Sequence, residues 1–232
     1  MAGSHQMEKI IDENIDFAST IVVHDDAFPD EKAPAYADHR IDRLLIPAKI
    51  IRKRTRVLAK QICSDYRQSG ILHAVVLLKG AFVFAADLGR EIYKCGGPEL
   101  QYDFLKPVTY GTAIKSGGES QRKVRIDYAL EDLNSDHVLV IEDIVDQAFT
   151  LSTVQRYLQE EKQVASVKFC VLLEKMLSHP TPEVQQLREG LTLDYVGFRI
   201  PDRWVAGFGI DAGEDFRHLP DIVTVNEEYY RK

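Results

Sequence analysis

Three scarcities narrow the reading of this 232-residue chain. Cysteine occurs only at Cys63, Cys95 and Cys170, an odd number of distant thiols without CxxC or Cys/His ligand spacing. That argues against a disulfide framework or a structural zinc site and fits a reducing interior. No apolar run approaches the ~20 residues a bilayer-spanning helix needs, and the first residues carry neither the basic nor the apolar region of a secretory signal. No membrane partner is expected. Basic charge is in deficit, with 29 Lys and Arg against 36 Asp and Glu and a formal net charge of −7. Nucleic acid is therefore not an expected partner, although a local basic cluster could still meet a small polyanion. Internal repeats and low-complexity tracts are also absent.

What is present is ordinary in bulk, at 45% hydrophobic and 28% charged, and suits one domain with a sizeable core. Residues 1–37 read as an N-terminal tag and an acidic, proline-bearing arm. After Pro47 a helix is predicted, with Ile51, Leu58 and Ile62 on its buried face and Arg52, Lys53 and Arg54 on a solvated one. Ala74–Leu78 reads as a buried strand, Phe82–Tyr93 as a helix closed by Gly96-Gly97, Thr150–Glu161 as a helix and Val167–Leu173 as a second buried strand. Such β-α-β alternation predicts an α/β fold whose central, mostly parallel sheet is flanked by helices.

Chemistry concentrates in Val138-Leu-Val-Ile-Glu-Asp-Ile-Val-Asp-Gln-Ala-Phe-Thr150. Val138–Ile141 is the continuous apolar run of a strand covered on both faces, and the acids fall where that strand should end. Ligands of open α/β sheets bind at that edge. Glu142 and Asp143 offer paired carboxylates for sugar hydroxyls or a hydrated Mg²⁺. From Gln147 through Ala148 and Phe149 to Thr150, backbone N–H groups and a hydroxyl at a helix N-terminus favour a phosphate.

This spacing and order resemble the ribose-phosphate motif of the 6-oxopurine phosphoribosyltransferases, the hypoxanthine-guanine(-xanthine) type of protozoa in particular. The resemblance spans about Asp38 to Val225. It implies a type I phosphoribosyltransferase fold over residues 38–225, with a hood drawn from about 38–47 and 194–225, a mobile catalytic loop and a tail at 226–232. The implied reaction joins a purine base to 5-phosphoribosyl 1-pyrophosphate (PRPP), releasing pyrophosphate, with Mg²⁺ as cofactor. By the same resemblance, Glu142 and Asp143 contact the ribose, Asp146 accepts the purine proton, and Gln147, Ala148, Phe149 and Thr150 wrap the 5′-phosphate. Many members read Thr-Gly-Lys-Thr there, so this loop lacks a positive side chain, and backbone donors are left to hold the anion.

Four further motifs recur in the family's order. Leu78-Lys-Gly-Ala81 resembles the pyrophosphate loop and assigns that role to Lys79, Gly80 and Ala81; the family's peptide before this lysine can be cis. Residues 106–123 have the glycine and serine content of a long mobile loop, and Thr109-Tyr110 matches the pair on the family's water-excluding lid. Lys175 aligns with the lysine that hydrogen-bonds the 6-oxo group, and an ammonium, having donors only, selects a carbonyl over adenine's amino group. Trp204 aligns with the aromatic stacked on the purine and Val205 with its backbone contacts. Asp211 aligns with a residue at the purine 2-position and a metal water, which makes Glu142, Asp143 and Asp211 the implied metal set; Arg217 aligns with a pyrophosphate-binding arginine.

Two departures flank the base segment. Asp211-Ala-Gly-Glu214 replaces a common Asp-Tyr-Asn-Glu, and the Pro/Gln-rich excursion between Lys175 and Asp194 is longer than usual. The smaller turn suggests tolerance of a 2-oxo group, hence xanthine use beside hypoxanthine and guanine. A non-catalytic regulator of the same fold, sensing nucleotides or PRPP, is the competing expectation. The resemblance also implies a homodimer or homotetramer. A cytoplasmic location is expected, or a glycosome- or peroxisome-like organelle if a C-terminal targeting tripeptide has been lost, since Tyr229-Tyr-Arg-Lys232 carries no such address.

Overall fold

A computed structural model describes residues 19–25, 27, 38–110, 123–126, 133 and 136–230. Its centre is a six-stranded sheet in the order β1-β9-β8-β7-β3-β4. The strands are β1 (Ile21–Val22), β3 (Ile71–Leu77), β4 (Glu99–Leu105), β7 (His137–Val145), β8 (Ser166–Met176) and β9 (Tyr195–Pro201). Every neighbouring pair is parallel. Crossovers supply the helices: α1 (Ala48–Asp65) before β3, α2 (Phe82–Lys94) between β3 and β4, α3 (Phe149–Arg156) between β7 and β8, and α4 (Pro182–Glu189) between β8 and β9. A π-helical turn, Tyr157–Glu161, continues α3.

The continuous apolar strands follow from burial on both faces. In β7, Leu139 and Ile141 join Ile51, Leu58, Phe84 and Leu88 of α1 and α2 in one core layer. Val138 and Val140 point the other way, into a layer with Leu151, Val154 and Leu158. All four β7 residues are solvent-inaccessible. At ~1.5–3 kcal/mol for each large apolar side chain, such runs dominate the stability of the sheet.

A smaller antiparallel sheet, β10-β11-β2, joins both ends of the chain: β2 is Ile41–Ile46, β10 Val205–Ala206 and β11 Ile222–Val225. Leu44, Ala206, Phe216 and Val223 form its own core, with Trp204 and Tyr230 packed against it. A hairpin pairs β5 (Pro107–Tyr110) with β6 (Lys123–Ile126). Within the predicted long loop at 106–123, residues 107–110 and 123 are in strand, and residues 111–122 lie outside the described ones. Among the described residues no helix is long and apolar enough to cross a membrane.

Three expectations change. Residues 21–22, assigned to an arm, add an edge strand to the main sheet. The β7 strand does not stop before its acids but runs to Val145, with Glu142 paired to Val171 and Val145 to Glu174. Arg54 is not on the solvated face. It is 2% exposed, donating from Nε to the Gly197 carbonyl at 2.9 Å and from Nη2 to that of Val196 at 2.6 Å. Position 54 is three residues after Ile51 and four before Leu58, so helical geometry puts it on the apolar stripe. The guanidinium is accommodated by carbonyls of β9, and burial lowers its pKa to about 10.

Candidate active site

The sheet order reverses between β3 and β7, since β3 leads outward to β4 on one side and to β7, β8 and β9 on the other. At such a switch point the carboxyl ends of adjacent strands open a crevice. Here one wall is the turn after β3, Leu78-Lys79-Gly80-Ala81, and the other is the end of β7 with the turn into α3. The Leu78–Lys79 peptide is cis. The two walls meet closely: a Cβ built on Gly80 would stand 1.6 Å from Asp143 Oδ2. Glycine at 80 is what lets the carboxylate reach the β3 turn. Behind it, a Cβ on Gly209 would stand 2.2 Å from the Gly80 carbonyl oxygen, so the base segment packs backbone to backbone against the same turn.

Glu142, buried, and Asp143, half-buried, form an acidic pair. Asp143 Oδ1 accepts the Ile144 N–H at 2.8 Å, and Glu142 Oε1 accepts that of Asp143 at 3.1 Å. Burial first, and then the neighbouring Asp143 charge, push the Glu142 carboxyl well above its usual range; burial also raises that of Asp143. Two carboxylates in this setting attract a cation or keep a proton.

Beyond them, a cavity of about 100 Å³ is lined by Glu142 and the run from Ile144 to Leu151. Ala148 at its rim has φ 68° and precedes α3 without a side-chain cap. The first N–H groups of the helix are therefore free of side-chain competition for an anion. This left-handed position falls where the family's common loop has glycine.

The third cluster lies at the ends of β7 and β8. Lys175, 8% exposed, places Nζ 3.3 Å from Asp146 Oδ2 and 4.0 Å from Asp202 Oδ1. A buried ammonium and a carboxylate thus stand side by side. Trp204 is half-buried, with its ring 5.1 Å from that of Tyr230, and Val205 is buried in β10. On the opposite rim, Lys79 Nζ lies 2.9 Å from Glu214 Oε2, and Arg217 Nη2 lies 2.8 Å from Asp211 Oδ1 and 3.4 Å from Glu214 Oε2. Arg217 also donates to the Gly209 carbonyl at 2.9 Å.

The crevice thus brings together the β3 turn at 79–81, Glu142, Asp143, residues 146–150, Lys175, Asp211 and Arg217, while Val205 belongs to the small sheet and Trp204 packs against it; two assignments differ further. Among the described residues no group of three or more His, Cys, Asp or Glu side chains is arranged to hold a metal. Asp211 does not join Glu142 and Asp143, because its two oxygens are occupied by Arg217 and by the Glu214 N–H at 2.8 Å. Thr109 and Tyr110 are in β5, and residues 111–122 of the lid they were assigned to lie outside the described residues.

Three polar residues were missed. Asp202 and Glu214 carry no signal beyond their proximity to assigned positions. Arg188 sits in the excursion that reads as Pro/Gln-rich, where the structure has α4.

A cavity of this size at a helix N-terminus, beside two acids at a sheet switch point, suits the class of enzymes that handle phosphorylated sugars. The family pattern described as "Phosphoribosyl transferase domain" matches residues 45–212. The hypoxanthine-guanine phosphoribosyltransferase of Crithidia fasciculata is 37% identical over 82% of this chain and 88% of its own length. The hypoxanthine phosphoribosyltransferase of Escherichia coli K12 is 36% identical over 78% and 94%. Among solved structures, that of a Trypanosoma cruzi hypoxanthine phosphoribosyltransferase variant in a ternary substrates complex superposes with a TM-score of 0.68 at 30% identity, covering 83% of this chain and all of that one. The Leishmania donovani hypoxanthine-guanine enzyme gives 0.67 at 32% identity, covering 82% and 99%. The chain belongs to the hypoxanthine-guanine phosphoribosyltransferase family, and its fold is the type I phosphoribosyltransferase fold.

Proposed function

We propose that this protein transfers the 5-phosphoribosyl group of PRPP to a 6-oxopurine in purine salvage, giving IMP or GMP, and XMP from xanthine, with release of pyrophosphate. The observation that carries the reading is the Lys175–Asp146 pair at 3.3 Å. A buried ammonium has only donors to offer a purine, so it accepts the 6-oxo group and rejects a 6-amino group. The adjacent Asp146 takes the ring proton that the base loses as its nitrogen bonds to the ribosyl carbon. A nucleotide-sensing regulator would have no use for that acceptor.

The remaining roles follow by position. Glu142 and Asp143 bind the ribose hydroxyls, and the backbone from Gln147 to Thr150, with Ala148 and Phe149 between, holds the 5′-phosphate. Lys79, Gly80, Ala81 and Arg217 receive the pyrophosphate, which would displace Glu214 from the two cations. Trp204 and Val205 frame the base, Asp211 lies toward its 2-position, and Thr109 with Tyr110 belongs to the closing lid. Residues 38–225 act as the transferase domain, with the small sheet as its hood.

Mg²⁺ suits the hard oxygens and the crowded negative charge of Glu142 and Asp143; it is commonly held by one or two carboxylates plus substrate phosphates. When bound it would neutralise the departing pyrophosphate. Gly213, at φ 61°, supports a compact turn that admits a 2-oxo substituent. Tyr102 and Phe104, exposed on the edge strand β4, support a homodimer or homotetramer. A cytoplasmic location is part of the same proposal; a glycosomal one would require a targeting tripeptide.

The test is an assay of nucleotide formation from PRPP and Mg²⁺ with hypoxanthine, guanine, xanthine and adenine in parallel. IMP, GMP and XMP without AMP is the expected result. AMP formation at a comparable rate would sink the assignment of Lys175, and absence of XMP would remove xanthine alone.

A further inference from the structure

Arg188, on the last turn of α4, makes three contacts at the base end of the crevice. Its Nη1 donates to the Asp146 carbonyl at 2.5 Å. Nη2 donates to the Lys175 carbonyl at 3.0 Å and to Glu174 Oε1 at 2.8 Å. Asp146, in the turn after β7, and Lys175, near the end of β8, are 29 residues apart, and their side chains form the pair on which the proposed base chemistry rests. One planar guanidinium spans the main chains of both. Its remaining contact is itself tethered, because Glu174 also accepts from Arg199 Nε at 2.9 Å. Arg188 and Glu174 are 20% and 15% exposed, so the fork works where water competes weakly.

The helix that delivers this guanidinium has its own start signal. Thr181 accepts the Val184 N–H on its side-chain oxygen and Pro182 follows in the first turn, both features of a helix N-terminus. Leu187 packs on the core beneath, fixing the rotation of the last turn.

We infer that Arg188 is a positioning residue for the purine half of the site: α4 is a brace that sets the distance between the Asp146 carboxylate and the Lys175 ammonium. The inference rests on the proposed 6-oxopurine reaction for its kinetic consequence but not for its structural one. Arg188 touches neither reacting atoms nor the phosphate cavity. Its loss should act on the base and leave PRPP binding nearly intact. Displacing catalytic groups by an ångström can cost as much as about a hundredfold in rate, and loss of even one of the charge-assisted bonds sets a floor of roughly tenfold.

The experiment uses the full chain with Arg188→Ala, and Arg188→Lys in case the alanine variant does not fold. Amide hydrogen exchange without ligand should quicken by about tenfold or more, relative to wild type, in peptides covering 144–146 and 175–177, and stay unchanged in 148–151 and in β3. In turnover, the KM for hypoxanthine should rise and kcat/KM for it fall by about 10- to 100-fold, while the KM for PRPP moves less than about threefold. Added guanidinium, but not ammonium at equal ionic strength, should restore part of the alanine variant's rate. Unchanged exchange in both segments overturns the brace whatever the activity. So does equal loss of base and PRPP affinity, or unchanged hypoxanthine kinetics in a folded variant. If wild-type protein forms no IMP at all, the reaction assignment falls, and exchange alone decides the role of Arg188.

Discussion

Replacing Gly80 with alanine probes the contact that joins the two walls of the crevice. The added methyl carbon would stand 1.6 Å from Asp143 Oδ2, 2.5 Å from Cγ and 3.2 Å from Oδ1. Alanine has no rotamer with which to escape, so the carboxylate must swing away. In doing so it gives up the Ile144 N–H that it accepts at 2.8 Å. Overpacking of this kind costs about 1–3 kcal/mol, and the lost hydrogen bond adds about 1 kcal/mol. A total of about 2–4 kcal/mol corresponds to a fall of about 4–16 °C in Tm for a domain of this size. The same movement displaces a proposed ribose ligand from the turn proposed to bind pyrophosphate, so the KM for PRPP should rise at least about tenfold, as loss of one charged hydrogen bond implies. Thermal melts and steady-state kinetics read both effects. The double variant Gly80→Ala, Asp143→Ala removes the clash, and should recover most of the stability without recovering PRPP affinity. Wild-type Tm and KM in the single variant, or no recovery of stability in the double one, would refute the close approach as the reason for glycine.

Other consequences are independent of that contact. Glu142→Gln should raise the Tm of the ligand-free protein at pH 8. A carboxyl whose folded pKa is raised subtracts stability as pH climbs above its unfolded value, near 4.5, and subtracts nothing below it. The gain must therefore shrink toward pH 4.5; a gain equal at both ends would contradict the buried-carboxyl reading. Glu214→Gln frees Lys79 and Arg217 from an exposed carboxylate, so the KM for PRPP should fall by up to about fivefold at low salt, the scale of exposed ion pairs; an unchanged KM would show that Glu214 does not compete with the substrate. Arg54→Ala leaves the Val196 and Gly197 carbonyls without their guanidinium partner, and chemical denaturation should show a loss of about 3 kcal/mol. A loss below about 0.5 kcal/mol would return Arg54 to the solvated face.

What the sequence made legible was whatever burial or backbone geometry writes into a local pattern. Val138–Ile141 could be read as a doubly covered strand because no polar residue interrupts it, and the turns at Lys79-Gly80 and Asp146–Thr150 were marked by their glycine and acids. The strand's true end at Val145 was not legible, because acids at a ligand-binding edge look like a terminator while they still pair with β8. Arg54 misled for the opposite reason: three consecutive basic residues suggest a solvated face, whereas the 3.6-residue period assigns one of them to the core. The small sheet unites residues 41–46 with 205–206 and 222–225, pairings too distant for any local pattern to announce. Arg188 was invisible because its function lies in carbonyl oxygens of other segments, and main-chain acceptors leave no residue-specific trace.

The central claim is that the Lys175–Asp146 pair does the base chemistry, and Asp146→Asn tests it most directly. Asparagine keeps the size and an oxygen that can accept from Lys175, and removes only the capacity to take a proton at neutral pH. With hypoxanthine, PRPP and Mg²⁺, kcat should fall by about 10²–10⁴-fold, while the dissociation constant for IMP, measured by calorimetry, changes less than about fivefold. Equal losses of turnover and of nucleotide binding would reduce Asp146 to a positioning residue, and an undiminished kcat would contradict the account outright.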